Sequence, residues 1–342
     1  MLMNRMAERF LQTRVKPVRL GFLGVGWIGR NRMEAILRTQ MAEAVAVADP
    51  SEDMLKEALR LAPDAAIVGG LDALLSLDLD GVVIATPSAL HAEQSIRVLQ
   101  EGVAVFCQKP LGRSAAEAEA VVAAARSADR LLGVDLSYRY TEGMQRIRDL
   151  TRSGELGTVF AADLVFHNAY GPDKSWFYDK SLSGGGCVID LGVHLIDMAL
   201  WCLDFPEVVD ITSTLMKGGA PISAAGDVED FAVATLTLAN GAVTRLACSW
   251  RLQAGCDAVI GADFFGTSGG ASFRNVGGSF YDFAAHRFRG TSSEEISRPP
   301  DDWGGRAAAD WAARLASGQA YDPSCERLVD VAEIIDDIYR HA

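Results

Sequence analysis

Gly24-Val25-Gly26-Trp27-Ile28-Gly29 is the stretch that decides the fold. A G-x-G-x-x-G run is weak evidence by itself. Here it closes the apolar run Val18–Leu23 and opens a helical pattern that continues through Met33–Leu37. Asp49 ends the next apolar run, Ala44–Ala48, 20 residues after Gly29. Strand, glycine turn, helix, strand and acid in that order form the dinucleotide-binding fingerprint. Gly24 permits the tight turn, Gly26 lets backbone approach a pyrophosphate, and Gly29 lets helix and strand pack closely. Trp27 and Ile28 open a helix whose free amides and positive dipole end suit phosphates. Asp49 can accept hydrogen bonds from the adenosine ribose hydroxyls and would repel a 2′-phosphate. Pro50-Ser51 brings no compensating cation, so NAD is favoured over NADP.

Working outward, strands and helices alternate. Gly81–Ala85 ends in Thr86-Pro87, and Ala104–Cys107 runs into Gln108-Lys109-Pro110. Ser114-x-x-Glu117 forms a capping box before an alanine-rich helix. Leu131–Val134 is a further strand. Alternation of this kind predicts a doubly wound parallel α/β sheet over residues 18–135. Beyond it the pattern changes. A helix is predicted at 142–152, a strand near 158–167 and a mostly apolar helix over Cys187–Leu203. In Phe231–Ala239, Thr235 and Thr237 share one face and Leu236 and Leu238 the other. Asn240-Gly241 then turns the chain into Ala242–Trp250. Residues 136–322 are thus expected to form a second α/β domain on a large, open, mostly antiparallel sheet. A last helix, about 323–342, is expected to pack back on the first domain.

The 342 residues are 49% apolar and 23% charged, ordinary for a globular protein. The longest stretch free of Asp, Glu, Lys and Arg, Phe231–Thr244, is short of a membrane span and is broken by a turn signal. A formal net charge of -13 makes nucleic acid a poor partner. Residues 1–17 read as a basic, solvated leader. The six cysteines are scattered without a C-x-x-C pair, so no metal site is predicted and a reducing cytoplasm fits.

Two further features carry chemistry. Lys109 lies at the carboxyl end of a strand, where doubly wound sheets bind ligands. Taken alone it reads as a surface charge. Gly184-Gly185-Gly186 precedes a run in which Asp190, His194 and Asp197 fall on one helical face among Val188, Ile189, Leu191, Val193 and Leu195. Ionisable groups on an apolar helix are costly unless they pair or line a cavity. Asp190 and Asp197 can each orient His194 and raise its basicity. The glycines let backbone come close to a ligand. A buried structural network and a metal ligand set are the other readings.

These residues resemble the Gfo/Idh/MocA oxidoreductases over roughly 18–340. The resemblance rests on the glycine loop, Thr86-Pro87 with His91, the Lys109-Pro110 pair, Arg139-Tyr140 and the Gly-Gly-Gly…Asp-x-Gly-x-His-x-x-Asp helix. It implies an N-terminal Rossmann domain, a C-terminal sheet domain that makes a homodimer or homotetramer, and a sugar, cyclitol or related polyol substrate. Lys109 takes the place of the family's catalytic lysine, Asp190 of its substrate-binding aspartate and His194 of its catalytic histidine. Thr86, Pro87, His91 and Gln108 join the cofactor side. The family usually has Glu-Lys-Pro where this chain has Gln108-Lys109-Pro110, and Asn31-Arg32 stands where a histidine is common. Trp176, His167 and Arg139 are candidate substrate contacts, with plain packing as the alternative for Trp176 and His167 and a structural ion pair for Arg139. The expected activity is hydride transfer between a secondary alcohol and nicotinamide. A non-catalytic dinucleotide-responsive regulator or sugar sensor is the rival, and an NADP-dependent reductase a second one.

Overall fold

A computed structural model describes residues 16–222 and 226–342. All but the last two residues of the expected leader, 1–17, lie outside the described residues. The first sheet takes β1 (Val18–Leu23), β2 (Ala42–Ala48), β3 (Ala66–Ile67), β4 (Gly81–Ile84), β5 (Ala104–Cys107) and β6 (Leu132–Val134). Its order is β3-β2-β1-β4-β5-β6, and every pairing is parallel. The crossovers are α1 (Trp27–Arg38), α2 (Glu52–Leu61), α3 (Leu71–Leu75), α4 (Ser88–Gln100) and α5 (Ala115–Ala128). Ser51 and Ser114 cap α2 and α5 by accepting the Met54 and Glu117 amides. Four consecutive buried residues in each of β4 and β5 mark strands covered on both faces. Leu20, Phe22, Met33, Ile36 and Phe106 fill one side, and Val82, Ile84, Leu99 and Val121 fill the other.

The second sheet has nine strands in the order β15-β14-β13-β12-β7-β11-β10-β8-β9. Its members are β7 (Val159–Asn168), β8 (Val208–Lys217), β9 (Ala220–Pro221), β10 (Phe231–Leu238), β11 (Val243–Ser249), β12 (Ala258–Gly266), β13 (Gly270–Asn275), β14 (Phe283–Arg289) and β15 (Ser292–Ser297). Only β7 and β11 pair in parallel, so the sheet is mixed and mostly antiparallel. The period of two in β10 is observed: Ala232, Ala234, Leu236 and Leu238 are buried, and Thr235 and Thr237 are not. Asn240 Oδ1 accepts the Ala242 amide, and Gly241 takes φ +84° at the turn into β11.

Helices α6 (Glu142–Arg152), α7 (Lys180–Ser183) and α8 (Val193–Cys202) belong to this half. Among the described residues, the helical stretch Lys180–Cys202 is long and apolar enough to cross a membrane, but it is mostly buried inside the protein. The sequence reading holds no helix at α9 (Arg306–Ala316). That helix crosses back to lie on α1, with Trp311 5.7 Å from Phe106 beneath the first sheet. The last helix, α10 (Arg327–Arg340), packs on α5 and also on α8 and β8.

Candidate active site

The glycine loop shows what each glycine is for. At Gly24, φ is +84° and a Cβ would lie 2.5 Å from the Ala85 carbonyl oxygen. At Gly29 a Cβ would lie 2.2 Å from the Gly24 oxygen. Gly26 has nothing within 4 Å of its Cβ position. No side chain caps the start of α1, and Trp27 beside it is 60% exposed. Open space over uncapped helix amides fits a dinucleotide pyrophosphate. Asp49 Oδ2 accepts the Val25 amide at 2.8 Å, and its Oδ1 accepts the Ser51 amide at 2.9 Å. The acid thereby ties the second strand to the glycine loop and keeps lone pairs for a ribose.

At the next strand ends, the His91 ring spans two loops. Its nitrogens lie 2.7 Å from the Pro110 and Thr86 carbonyl oxygens. Burial pushes its pKa down. His91 braces the wall, while Thr86 Oγ1 donates to Gln94.

The two halves enclose a cavity of about 580 Å³. Trp27, Ile28, Thr86, His91, Gln108, Lys109, Asp190, His194 and Trp176 all line it. Lys109 Nζ donates to the Asp190 carbonyl oxygen at 2.6 Å and to its Oδ1 at 2.8 Å. Asp190 Oδ2 accepts the Trp250 indole N–H at 3.1 Å. His194 is buried, with the Tyr138 ring edge-on 5.0 Å away. Burial, reinforced by the Lys109 and Arg32 charges, holds its pKa well below the ordinary 6.5. The imidazole is therefore neutral at pH 7. Its Nδ1 is buried without a hydrogen-bond partner among the described residues.

Three expectations need correction. The run from Cys187 is not one regular helix: Val188–Gly192 is a π-helical turn that leads into α8. Neither aspartate orients His194. Lys109 takes Asp190, and the Arg139 fork takes both oxygens of Asp197. Charge-assisted bonds to cations outcompete a neutral ring for the carboxylates. His194 basicity is lowered rather than raised. Finally, the glycine run approaches protein, not an open ligand site. A Cβ at Gly185 would lie 1.9 Å from the Tyr339 hydroxyl, and one at Gly186 1.9 Å from the Glu229 carbonyl oxygen.

Two of the substrate-contact candidates fall outside the cavity lining, as do Gly24, Gly26, Gly29, Asp49 and Pro87 on the cofactor side. Arg139 packs with Asp197 against the Trp201 and Phe205 rings. His167 Nδ1 meets Ser249 Oγ at 2.8 Å, and its ring stacks on Phe231. Trp176 does line the cavity, stacked 3.8 Å from Phe177.

The sequence reading missed a buried polar group that shares the cavity lining with Lys109. Arg32 Nε and Gln108 Nε2 both donate to Asp135 Oδ2, at 2.6 and 2.7 Å. This explains the departure at position 108. An amide can donate to Asp135, whereas a glutamate would set two buried carboxylates together. The signal lay in the pairing of two unusual residues, Arg32 and Gln108. Tyr138, Phe280, Tyr281 and Trp303 complete the aromatic wall. Among the described residues no group of three or more His, Cys, Asp or Glu side chains is arranged to hold a metal.

Known proteins resemble this chain over both halves. Residues 18–136 match the model of an oxidoreductase family with an NAD-binding Rossmann fold, and 144–272 match the GFO/IDH/MocA C-terminal domain. D-glucoside 3-dehydrogenase of Escherichia coli (strain K12) is 26% identical over 75% of this chain and 77% of its own. D-apiose dehydrogenase of Paraburkholderia graminis is 28% identical over 89% and 78%. The crystal structure of GenD2 from gentamicin A biosynthesis in complex with NAD superposes with a TM-score of 0.80 at 25% identity, over 96% of this chain and 94% of that one. With both halves matched, and the cradle and cavity between them, the chain belongs to the Gfo/Idh/MocA family of NAD(P)-dependent oxidoreductases acting on CH–OH groups.

Proposed function

We propose that the protein interconverts a secondary alcohol and a ketone on a sugar, cyclitol or related polyol, using NAD, with Lys109 and His194 in acid–base roles. The observation that carries this is the meeting of Lys109, Asp190 and His194 in one cavity beside the glycine loop. Residues 18–135 serve as the cofactor unit and 136–322 as the substrate unit. A nicotinamide dinucleotide, when bound, supplies the hydride acceptor or donor. His194 Nδ1 is closed off, so Nε2 is the nitrogen that takes the hydroxyl proton, and the neutral ring is ready to do so. Lys109 has three N–H donors and spends two on Asp190. The third meets the reacting oxygen and stabilises its developing negative charge. Asp190 holds the lysine and binds a neighbouring hydroxyl. Gln108, Thr86, Pro87 and His91 frame the nicotinamide side, and Trp176 gives a sugar ring an apolar wall.

NAD is favoured over NADP because Asp49 stands where a 2′-phosphate would lie. Phe160, Val209, Val233 and Phe265 are exposed on strands of the second sheet and suit a homodimer or homotetramer through that face. Six free thiols fit a reducing cytoplasm.

The test is NADH formation from NAD over a panel of inositols, aldoses, sugar acids and amino sugars. Wild type is expected to turn over one class. His194→Ala is expected to lose about 10²–10⁴ in kcat while still binding NADH. Silence across the panel with tight NADH binding would favour the regulator, and full activity in His194→Ala would remove the histidine from the chemistry.

A further inference from the structure

One buried carboxylate has no part in the reading so far. Glu229 precedes β10 and is 1% exposed. Its Oε1 accepts the Gly186 amide at 3.0 Å, the Val188 amide at 2.9 Å and the Tyr339 hydroxyl at 2.8 Å. Its Oε2 also accepts the Gly186 amide, at 3.0 Å. Its main-chain carbonyl takes the Cys187 amide at 3.1 Å. One residue thus satisfies three successive amides, 186 to 188, at the opening of the π-turn. That turn has no side-chain cap of its own, and such amides are otherwise orphaned. The glycines at 185 and 186 are what let Tyr339 and Glu229 come this close.

The chain of bonds continues to the cavity. The Asp190 amide donates to the Gly186 carbonyl at 3.1 Å. Lys109 holds the Asp190 main-chain oxygen as well as its carboxylate. The height of the turn therefore sets where the lysine ammonium sits. Tyr339 belongs to α10, which also reaches the first half: Asp336 Oδ2 accepts the Ala115 amide at the start of α5 at 3.0 Å.

We infer that Glu229 and Tyr339 are positioning residues, a buried latch that fixes amides 186 to 188 and so places Asp190 against Lys109. The inference rests on the reading of Lys109 and Asp190 as reacting groups. A purely structural latch would affect folding alone. A positioning latch also changes the lysine, because a looser Asp190 holds the Lys109 side chain less firmly and leaves it more accessible to a reagent.

Tyr339→Phe removes one hydroxyl and almost no volume. Glu229→Gln keeps an oxygen for the Gly186 and Val188 amides, and Glu229→Ala removes it. The first readout needs neither substrate nor cofactor: labelling of Lys109 by trinitrobenzenesulfonate at fixed pH, quantified by mass spectrometry. Tyr339→Phe is expected to label roughly threefold faster, the change given by weakening one hydrogen bond that holds the lysine in place. The second readout is kcat and KM on a substrate that wild type turns over. Tyr339→Phe is expected to lose about tenfold in kcat with KM within about twofold, as a displaced reacting group gives. Glu229→Gln is expected to fall between wild type and Glu229→Ala in both. If Glu229→Ala does not fold, the other two variants decide. Unchanged labelling and kcat in Tyr339→Phe would overturn the latch, whatever happens to its melting temperature. If instead Lys109→Ala stays active, the reading of the site fails, while the labelling comparison still tests the latch.

Discussion

Asp190 and Asp197 stand seven residues apart on one apolar helical run, and each pairs with a cation from another element. Their fates differ. The Arg139 guanidinium engages both Asp197 oxygens, and rings of Trp201 and Phe205 flank it. Burial pushes the Asp197 pKa up while Arg139 pulls against it. The Arg139 N–H groups not spent on Asp197 do not face the cavity, because Arg139 is not part of its lining. Lys109 is a point donor on Asp190, with one N–H to spare and a cavity in front of it. Paired charges on a buried helix therefore do not identify a reacting site. Unspent hydrogen-bonding capacity facing an open cavity does.

The comparison breaks most sharply under paired substitutions. Lys109→Ala is expected to lower kcat by about 10²–10⁴ with the fold retained, because it removes the proposed donor to the reacting oxygen. Asp197→Ala is expected to do the reverse. It strands Arg139 and costs about 3 kcal/mol of stability, read by urea unfolding, with turnover per folded molecule near wild type. A pH profile sharpens the contrast between the groups around the cavity. On the proposed mechanism the neutral form of His194 is the base in the oxidative direction. Its lowered pKa places the acid limb of kcat/KM below 6.5. Activity is expected to stay flat as pH falls through 6.5 and to drop only beneath it. A limb at 6.5 or above would mean that another group titrates. The smallest effect is expected at Asp49→Ala. If Asp49 is the ribose acceptor as proposed, its loss should narrow the proposed NAD over NADP preference by about tenfold, measured by fluorescence titration with both reduced cofactors.

What could be read from the chain follows the range of each interaction. The turn at Asn240-Gly241 is local, and its geometry is dictated by neighbouring residues. The glycine loop and Asp49 follow a recurring spacing, although Gly24 meets Ala85 and Asp49 meets Val25. Lys109 was legible because a strand end fixes where a side chain emerges. The partners of the buried acids were not. Arg139 and Asp197 lie 58 residues apart, Lys109 and Asp190 81 apart, and Tyr339 and Glu229 110 apart. Spacing on a helix suggests that Asp197 meets His194. It carries no information about an arginine arriving from another element. Likewise, three consecutive glycines announce a close approach but not what approaches, and here it is Glu229 and Tyr339. The α9 helix differs: its alanine-rich sequence favours a helix locally, and only the sheet it crosses back to leaves no mark in the sequence.

The most direct measurement is turnover per folded molecule in Lys109→Ala and Asp197→Asn, assayed beside wild type with NAD and one accepted substrate. The account predicts near-complete loss in the lysine variant and near-wild-type turnover in the aspartate variant, with lower stability only in the latter. Equal loss in both, or an active Lys109→Ala, would contradict it.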